Sequence, residues 1–278
     1  MRKILFVLLI ISAFLSCRSN TKQAIKDTAS TTTASTNETQ ALIKKFKPII
    51  QGVWVKSDYI DRIIKTKSPI ASEDKSIGIV TMYINTDSIK NDSLVITAND
   101  SNVDYGFPVL KFKKGERDST LVFNGGELGY KIENGDTILI SWHRNADTKK
   151  IETTKYIKVL NSEPTDDVSY GLELLISKNL IAGNYIMTDT IGRTSNVTFS
   201  EYGKVTGIPE KNTYYIAHDL SGEPMSNLDC FVFNFPENAQ SYTFKINADT
   251  LKIFEINANA DSTESILGEL VYKFVRTK

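Results

Sequence analysis

Two histidines, two cysteines and one aspartate-rich stretch are the residues of this 278-residue chain whose types suggest chemistry. His143 and His218 are the only imidazoles, and they lie in opposite halves of the chain. A shared zinc site would have to bridge two domains, so surface or rim positions are expected for both. Cys230 stands in an alternating apolar stretch, 229–235, where a lone thiol packs as a small apolar group. No His–Asn pattern of the kind that activates a cysteine accompanies it. Asp100-Ser101-Asn102-Val103-Asp104-Tyr105-Gly106 offers closely spaced oxygen donors. A calcium loop of the EF-hand type, however, needs glycine at its sixth position and glutamate at its twelfth. Tyr105 and Lys111 stand there, and a polar hairpin turn is expected instead. Asp58, Asp61, Glu73 and Asp74 read as a solvated face. Gly-x-Ser-x-Gly, His-Glu-x-x-His and phosphate-cradling glycine loops do not occur. The expectation is a protein without catalytic activity, metal or cofactor.

Cys17 carries a different chemistry. Met1-Arg2-Lys3 precedes an apolar run over 4–14, which ends in Leu15-Ser16-Cys17. Positive charge, a short greasy segment and small residues before a cleavage point make a secretory signal peptide, 1–16. The Leu-Ser-Cys ending resembles the lipobox of bacterial lipoproteins, whose cysteine thiol is acylated and becomes the mature N-terminus. That resemblance implies lipidation of Cys17 and attachment to a membrane of the cell envelope. Residues 17–40 are rich in Ser, Thr and Asn and poor in apolar side chains, as a flexible tether would be. Lys+Arg and Asp+Glu both number 33, so no net field attracts nucleic acid, and nucleic-acid binding is not expected.

The elements that must position any site are mainly strands. Leu94 alternates with Ile96, Leu110 with Phe112, Leu121 with Phe123, and Tyr130 with Ile132. Later come Val197 and Phe199, then Phe231, Phe233 and Phe235, then Tyr242, Phe244 and Ile246. Apolar residues at period two mark antiparallel strands with one buried face. Asn124-Gly125-Gly126, Asn134-Gly135-Asp136, Tyr202-Gly203-Lys204, Ser221-Gly222 and Asn247-Ala248-Asp249 supply the turns. Short helices are predicted over 40–47, 57–65 and 168–178.

The pattern runs through the chain twice. A short helix leads into Gly52-Val53-Trp54, and another into Gly183-Asn184-Tyr185. Asn134-Gly135-Asp136-Thr137 parallels Asn247-Ala248-Asp249-Thr250, and Tyr156-Ile157-Lys158-Val159 parallels Tyr272-Lys273-Phe274-Val275. Two units are expected, 41–161 and 165–278, each large enough for its own core. A helix followed by Gly-x-aromatic, meandering strands and a closing strand resembles the lipocalin-like (calycin-type) proteins, in particular the lipocalin-like lipoproteins of Bacteroidota. The resemblance implies an all-β fold of two tandem antiparallel barrels with short flanking helices. It also implies a ring at each closed end, with Trp54 as the match and Tyr185 as a departure from it. An arginine of the last strand packs over that ring in the family; Arg276 takes this place in the second copy, whereas the first copy has Leu160.

The functional expectation is a non-catalytic envelope protein that binds a small apolar or amphipathic ligand inside a barrel. Trp54, Tyr185, Tyr214, Phe231, Phe233 and Tyr242 would line the cavity. The alternative is a structural or protein-interaction module of the envelope with solid barrels. Asp-Ser/Thr followed by a small or apolar residue recurs along the chain and resembles the O-glycosylation site of exported Bacteroidota proteins. Thr28, in the tether, is the acceptor the resemblance selects. The residues after Cys17 lack the acidic run that resembles a surface-export signal, so the periplasmic face of the outer membrane is favoured over the cell surface.

Overall fold

The structure, a computed structural model, describes residues 29–99, 107–162, 167–218 and 226–277, with side chains from residue 36 onward. Cys17, Thr28, the 100–106 stretch and the expected Ser221-Gly222 turn lie outside the described residues. The chain divides into two units, Met1–Asn37 and Glu38–Lys278. Of the first, the described part is the start of a helix, α1 (Ala29–Ile50). That helix is longer than the 40–47 segment predicted, and Pro48 sits inside its last turn instead of ending it.

The second unit is mostly β, in two antiparallel sheets, one of them a nearly closed barrel. The first sheet contains β1 (Gly52–Lys56), β2 (Thr81–Ile84), β3 (Ser93–Val95), β4 (Thr97–Asn99), β5 (Val109–Lys114), β6 (Thr120–Phe123), β7 (Gly126–Glu133), β8 (Asp136–Arg144) and β9 (Ile151–Leu160). Its order is β3-β5-β6-β7-β8-β9-β1-β2-β4. The two ends of that order are consecutive in the chain, separated only by Ile96, whose N–H donates to Pro108 O at 2.9 Å. One extended stretch therefore pairs with β5 through its first half and with β2 through its second.

The second sheet contains β10 (Gly183–Thr188), β11 (Thr194–Phe199), β12 (Val205–Thr206), β13 (Tyr214–Ile216), β14 (Cys230–Phe233), β15 (Gln240–Asn247), β16 (Thr250–Ala258) and β17 (Ser265–Arg276). Its order is β12-β11-β10-β17-β16-β15-β14-β13. The end strands meet through a bridge between Lys204 and Thr213. Tyr214 N–H donates to Gly203 O at 2.8 Å and Val205 N–H to Asn212 O at 3.0 Å across the same seam. In both sheets the first strand pairs with the last. The expected turns serve as two-residue hairpin loops at Asn134-Gly135 and at Ala248-Asp249.

Period two puts Leu94, Ile96, Leu110, Phe112, Leu121 and Phe123 into one core cluster, with Phe46 and Ile50 of α1 added to it. Two alternating residues depart from expectation. Ile132, next to the end of β7, and Phe235, two residues past the end of β14, are 61% and 57% exposed.

The second core cluster joins the sheets. It combines the interior of the second with Tyr59, Ile60 and Ile63 of α2 (Ser57–Thr66), with Leu172 and Ile176 of α3 (Tyr170–Ile176), and with Val55 and Val80. Tyr59, Ile60 and Ile63 share one face of α2, and that face is the one that packs. A π-helical turn, Ser177–Ile181, extends α3 towards Gly183. α3 lies so close to β1 that a Cβ on Gly171 would meet Val53 Cγ1 at 2.6 Å. The Ile70 N–H also donates to Asp229 Oδ1 at 3.0 Å, tying the turn after α2 to the strand leading into β14.

Candidate functional site

Trp54 and Tyr185 occupy matching surroundings. Each follows a glycine with positive φ, Gly52 at 123° and Gly183 at 153°. Trp54 Nε1–H donates to Ile50 O at 2.8 Å, and Tyr185 O–H donates to Ile181 O at 2.6 Å, four residues back in both cases. A cation from the last strand covers each ring: Lys158 Nζ is 4.9 Å from the Trp54 centroid, and the Arg276 guanidinium is 5.1 Å from that of Tyr185. The same cations satisfy carbonyls at the preceding helix end, where the dipole favours positive charge. Lys158 donates to Ile49 O at 3.3 Å; Arg276 donates to Leu180 O at 3.3 Å, to Ala182 O at 2.9 Å and to the Tyr185 hydroxyl at 2.7 Å. Burial holds the Lys158 ammonium below the ordinary lysine value.

The counterpart of Arg276 is therefore Lys158, not Leu160. A β-bulge is the reason. Val53 pairs with Leu160, but the register then shifts so that Trp54 pairs with Lys158, as Tyr185 pairs with Arg276. The tyrosine parallel slips with it: Tyr156, two residues before Lys158, matches the buried Phe274 rather than Tyr272.

The remaining predicted ligand contacts lie inside the second sheet and touch one another. Phe231 and Phe233 are fully buried, Tyr214 is buried and Tyr242 half-buried. Phe231 stacks on Tyr214 at 5.5 Å between centroids and meets Phe233 at 4.8 Å. Phe233 meets Tyr242 edge-on at 5.9 Å. Phe199, which the sequence reading did not single out, is the hub, with Tyr185, Tyr214, Phe231 and Phe274 all at 5.1–6.0 Å in edge-to-face contact. Such spacings are those of packed rings. Burial raises the Tyr214 phenol well above its usual value, and its hydroxyl donates to Ser200 O at 2.7 Å.

His143 is exposed, as expected of a surface histidine. His218 is not: it is 6% exposed, and neither ring nitrogen has a hydrogen-bond partner among the described residues. Glu173 Oε1 lies 3.8 Å from its Nε2 and the Tyr215 ring packs against it. Its burial had no signal in the sequence, because it follows a strand end. Burial pushes the Cys230 thiol up, away from the thiolate that nucleophilic chemistry requires. Among the described residues, no three His, Cys, Asp or Glu side chains converge as metal ligands, and no helix is long and apolar enough to cross a membrane.

One polar groove stands on the outer face of the first sheet, with a volume of about 520 Å³. Lys113 and Lys114 of β5, Arg117, Glu127 of β7, and Trp142 and Arg144 of β8 line it. A register shift between Lys111 and Lys114 opens the wall. Glu127 and Trp142 are cross-strand partners, and the indole reaches over Gly129, where a Cβ would meet Trp142 Cζ3 at 3.1 Å. Glu127 is buried and accepts three hydrogen bonds: from Thr120 Oγ1 at 2.5 Å, from Arg117 N at 3.0 Å and from Arg117 Nη1 at 2.6 Å. The Arg117 guanidinium also lies 5.2 Å from the Trp142 ring centroid. Burial alone would raise the Glu127 carboxyl; the Thr120 and Arg117 hydrogen bonds and the Arg117 charge outweigh it and hold the carboxyl below the 4.5 of a free glutamate.

A folded-state value below the unfolded one stabilises the fold at neutral pH, and that contribution fades as pH falls through the folded value. Glu127→Gln is therefore expected to cost about 1–2 kcal/mol at pH 7. The gap from the parent should shrink below about pH 4. Urea unfolding of both proteins at pH 7 and pH 3.5 checks this; a gap that widens in acid would contradict the assignment.

Compared with known proteins, the chain matches no family model, no curated protein and no solved structure.

Proposed function

We propose that the chain is a lipid-anchored protein of the cell envelope, built from two tandem lipocalin-like barrels, that works as a non-catalytic structural or interaction module through its outer surface. The observation that carries this reading is the aromatic packing inside the second sheet. Its rings pack on one another at 4.8–6.2 Å and occupy the positions an apolar ligand would need. That favours the solid-barrel alternative over a ligand carrier. Two features support barrel closure: the bridged seam between β12 and β13, and the single stretch that is both ends of the first sheet. The matched Gly-x-aromatic–cation ends support descent of both from one plan. The envelope location rests on the lipobox-like Leu15-Ser16-Cys17, and the periplasmic face of the outer membrane on the lack of an acidic run in the residues after Cys17. Native mass spectrometry of the full chain after incubation with a total lipid extract tests the reading. No lipid inside the barrels is expected; one lipid retained per chain whose binding also shifts the interior Phe231 and Tyr185 NMR signals would restore the carrier hypothesis.

A further inference from the structure

We propose that the outer groove of the first sheet is a binding site for oxyanions, carboxylate or phosphate, presented by a ligand of the envelope. The inference deepens the reading above, since it rests on binding taking place outside the barrels.

Four cations, Lys113, Lys114, Arg117 and Arg144, line this one groove against two carboxylates, the exposed Glu116 and the buried Glu127, and Arg144 also donates to Lys149 O at 2.7 Å. Among the described residues, Lys113, Lys114 and Arg144 form no ion pair, although carboxylates are as frequent in the chain as cations. Gathering unpaired like charges costs repulsion that an anion would relieve. Arg117 is the positioned member. Its guanidinium is fixed by Glu127 on one edge and by the Trp142 face, which leaves further N–H donors of the fork for a ligand. A guanidinium held in place loses little rotamer freedom on binding, which is the usual cost of using a long side chain. The buried Glu127 positions the arginine; it is not itself offered to the ligand, since three donors already occupy it. Lys113 and Lys114 are exposed and supply point charge at the opposite wall.

Phosphate free in solution and phosphate on a lipid headgroup present the same chemistry to such a groove. The test is ¹⁵N NMR of the full chain titrated separately with citrate, inorganic phosphate, and vesicles of phosphatidylglycerol or phosphatidylcholine. Citrate and phosphate are expected to shift the Arg117 Nε–H and Trp142 Nε1–H signals with millimolar affinity, and the K113Q/K114Q double variant to weaken this about tenfold. Those two lysines are exposed, so their loss leaves the fold intact. Signal loss with phosphatidylglycerol vesicles alone assigns the oxyanion to a headgroup, and shifts with the free anions alone assign it to a solute. No response at Arg117 and Trp142 to any probe at about 10 mM, or an unchanged response in the double variant, overturns the proposal. Phe231 and Tyr185 signals report separately on the interior: their movement on adding lipid would sink the filled-barrel reading while leaving the groove untouched.

Discussion

Gly52→Ala is expected to destabilise the fold by about 3 kcal/mol or more, a large fraction of a domain's usual margin. Gly52 has φ of 123°, a conformation that a side chain strains, and a Cβ there would stand 2.3 Å from the Leu160 carbonyl oxygen. That oxygen belongs to β9, paired with β1, so relief requires the first and last strands to part at the bulge. Gly183→Ala gives the internal control. Its Cβ would meet Arg276 Nη1 at 3.0 Å, the far end of a side chain that need yield by only a few tenths of an ångström and so keeps its hydrogen bonds to Ala182 O and Leu180 O. About 1 kcal/mol is expected there, the ordinary cost of an unfavourable φ. Chemical denaturation of the two variants side by side measures the difference. Equal losses would mean that the closed ends are not held by backbone contact in the first sheet.

The second large effect concerns the aromatic interior. Phe231→Ala should cost about 3–5 kcal/mol, the range for deleting a fully buried ring. Phe231 is wholly buried and in contact with Phe199, Tyr214, Phe233 and Phe244. The void left behind is lined by rings and should stay dry. The parent protein is therefore expected to take up no benzene, whereas the variant binds it and regains part of the lost stability, growing with the logarithm of the free benzene concentration once that exceeds Kd. Thermal unfolding with and without benzene reads this directly. A parent protein stabilised by benzene to the same degree would reveal a cavity already present.

Period two made the strands readable, because a half-buried strand writes its inward face into the sequence at every other residue. Leu110 with Phe112 and Leu121 with Phe123 are plain instances. The Gly-x-aromatic pair and the hairpin loops were legible for the same reason, since each demands particular residue types at fixed spacing. What stayed hidden was set by pairing. Lys158 could not be matched to Trp54 without knowing that a bulge shifts β1 against β9. The outer groove draws on β5, β7 and β8, whose outward residues look like any solvated face until the register brings Glu127 opposite Trp142. α1 begins among Ser, Thr and Asn residues of low helix propensity, so its start carried no signal. The burial of His218 was equally silent.

The proposed function requires that both sheets close on themselves around a packed interior. Native-state hydrogen exchange at the two seams is the most direct check. The Ile96, Val205 and Tyr214 amides, which donate to Pro108, Asn212 and Gly203, are predicted to exchange as slowly as amides in the middle of β8 and β16. Exchange at the rate of exposed strand edges, with β8 and β16 still protected, would show open sheets and contradict the account.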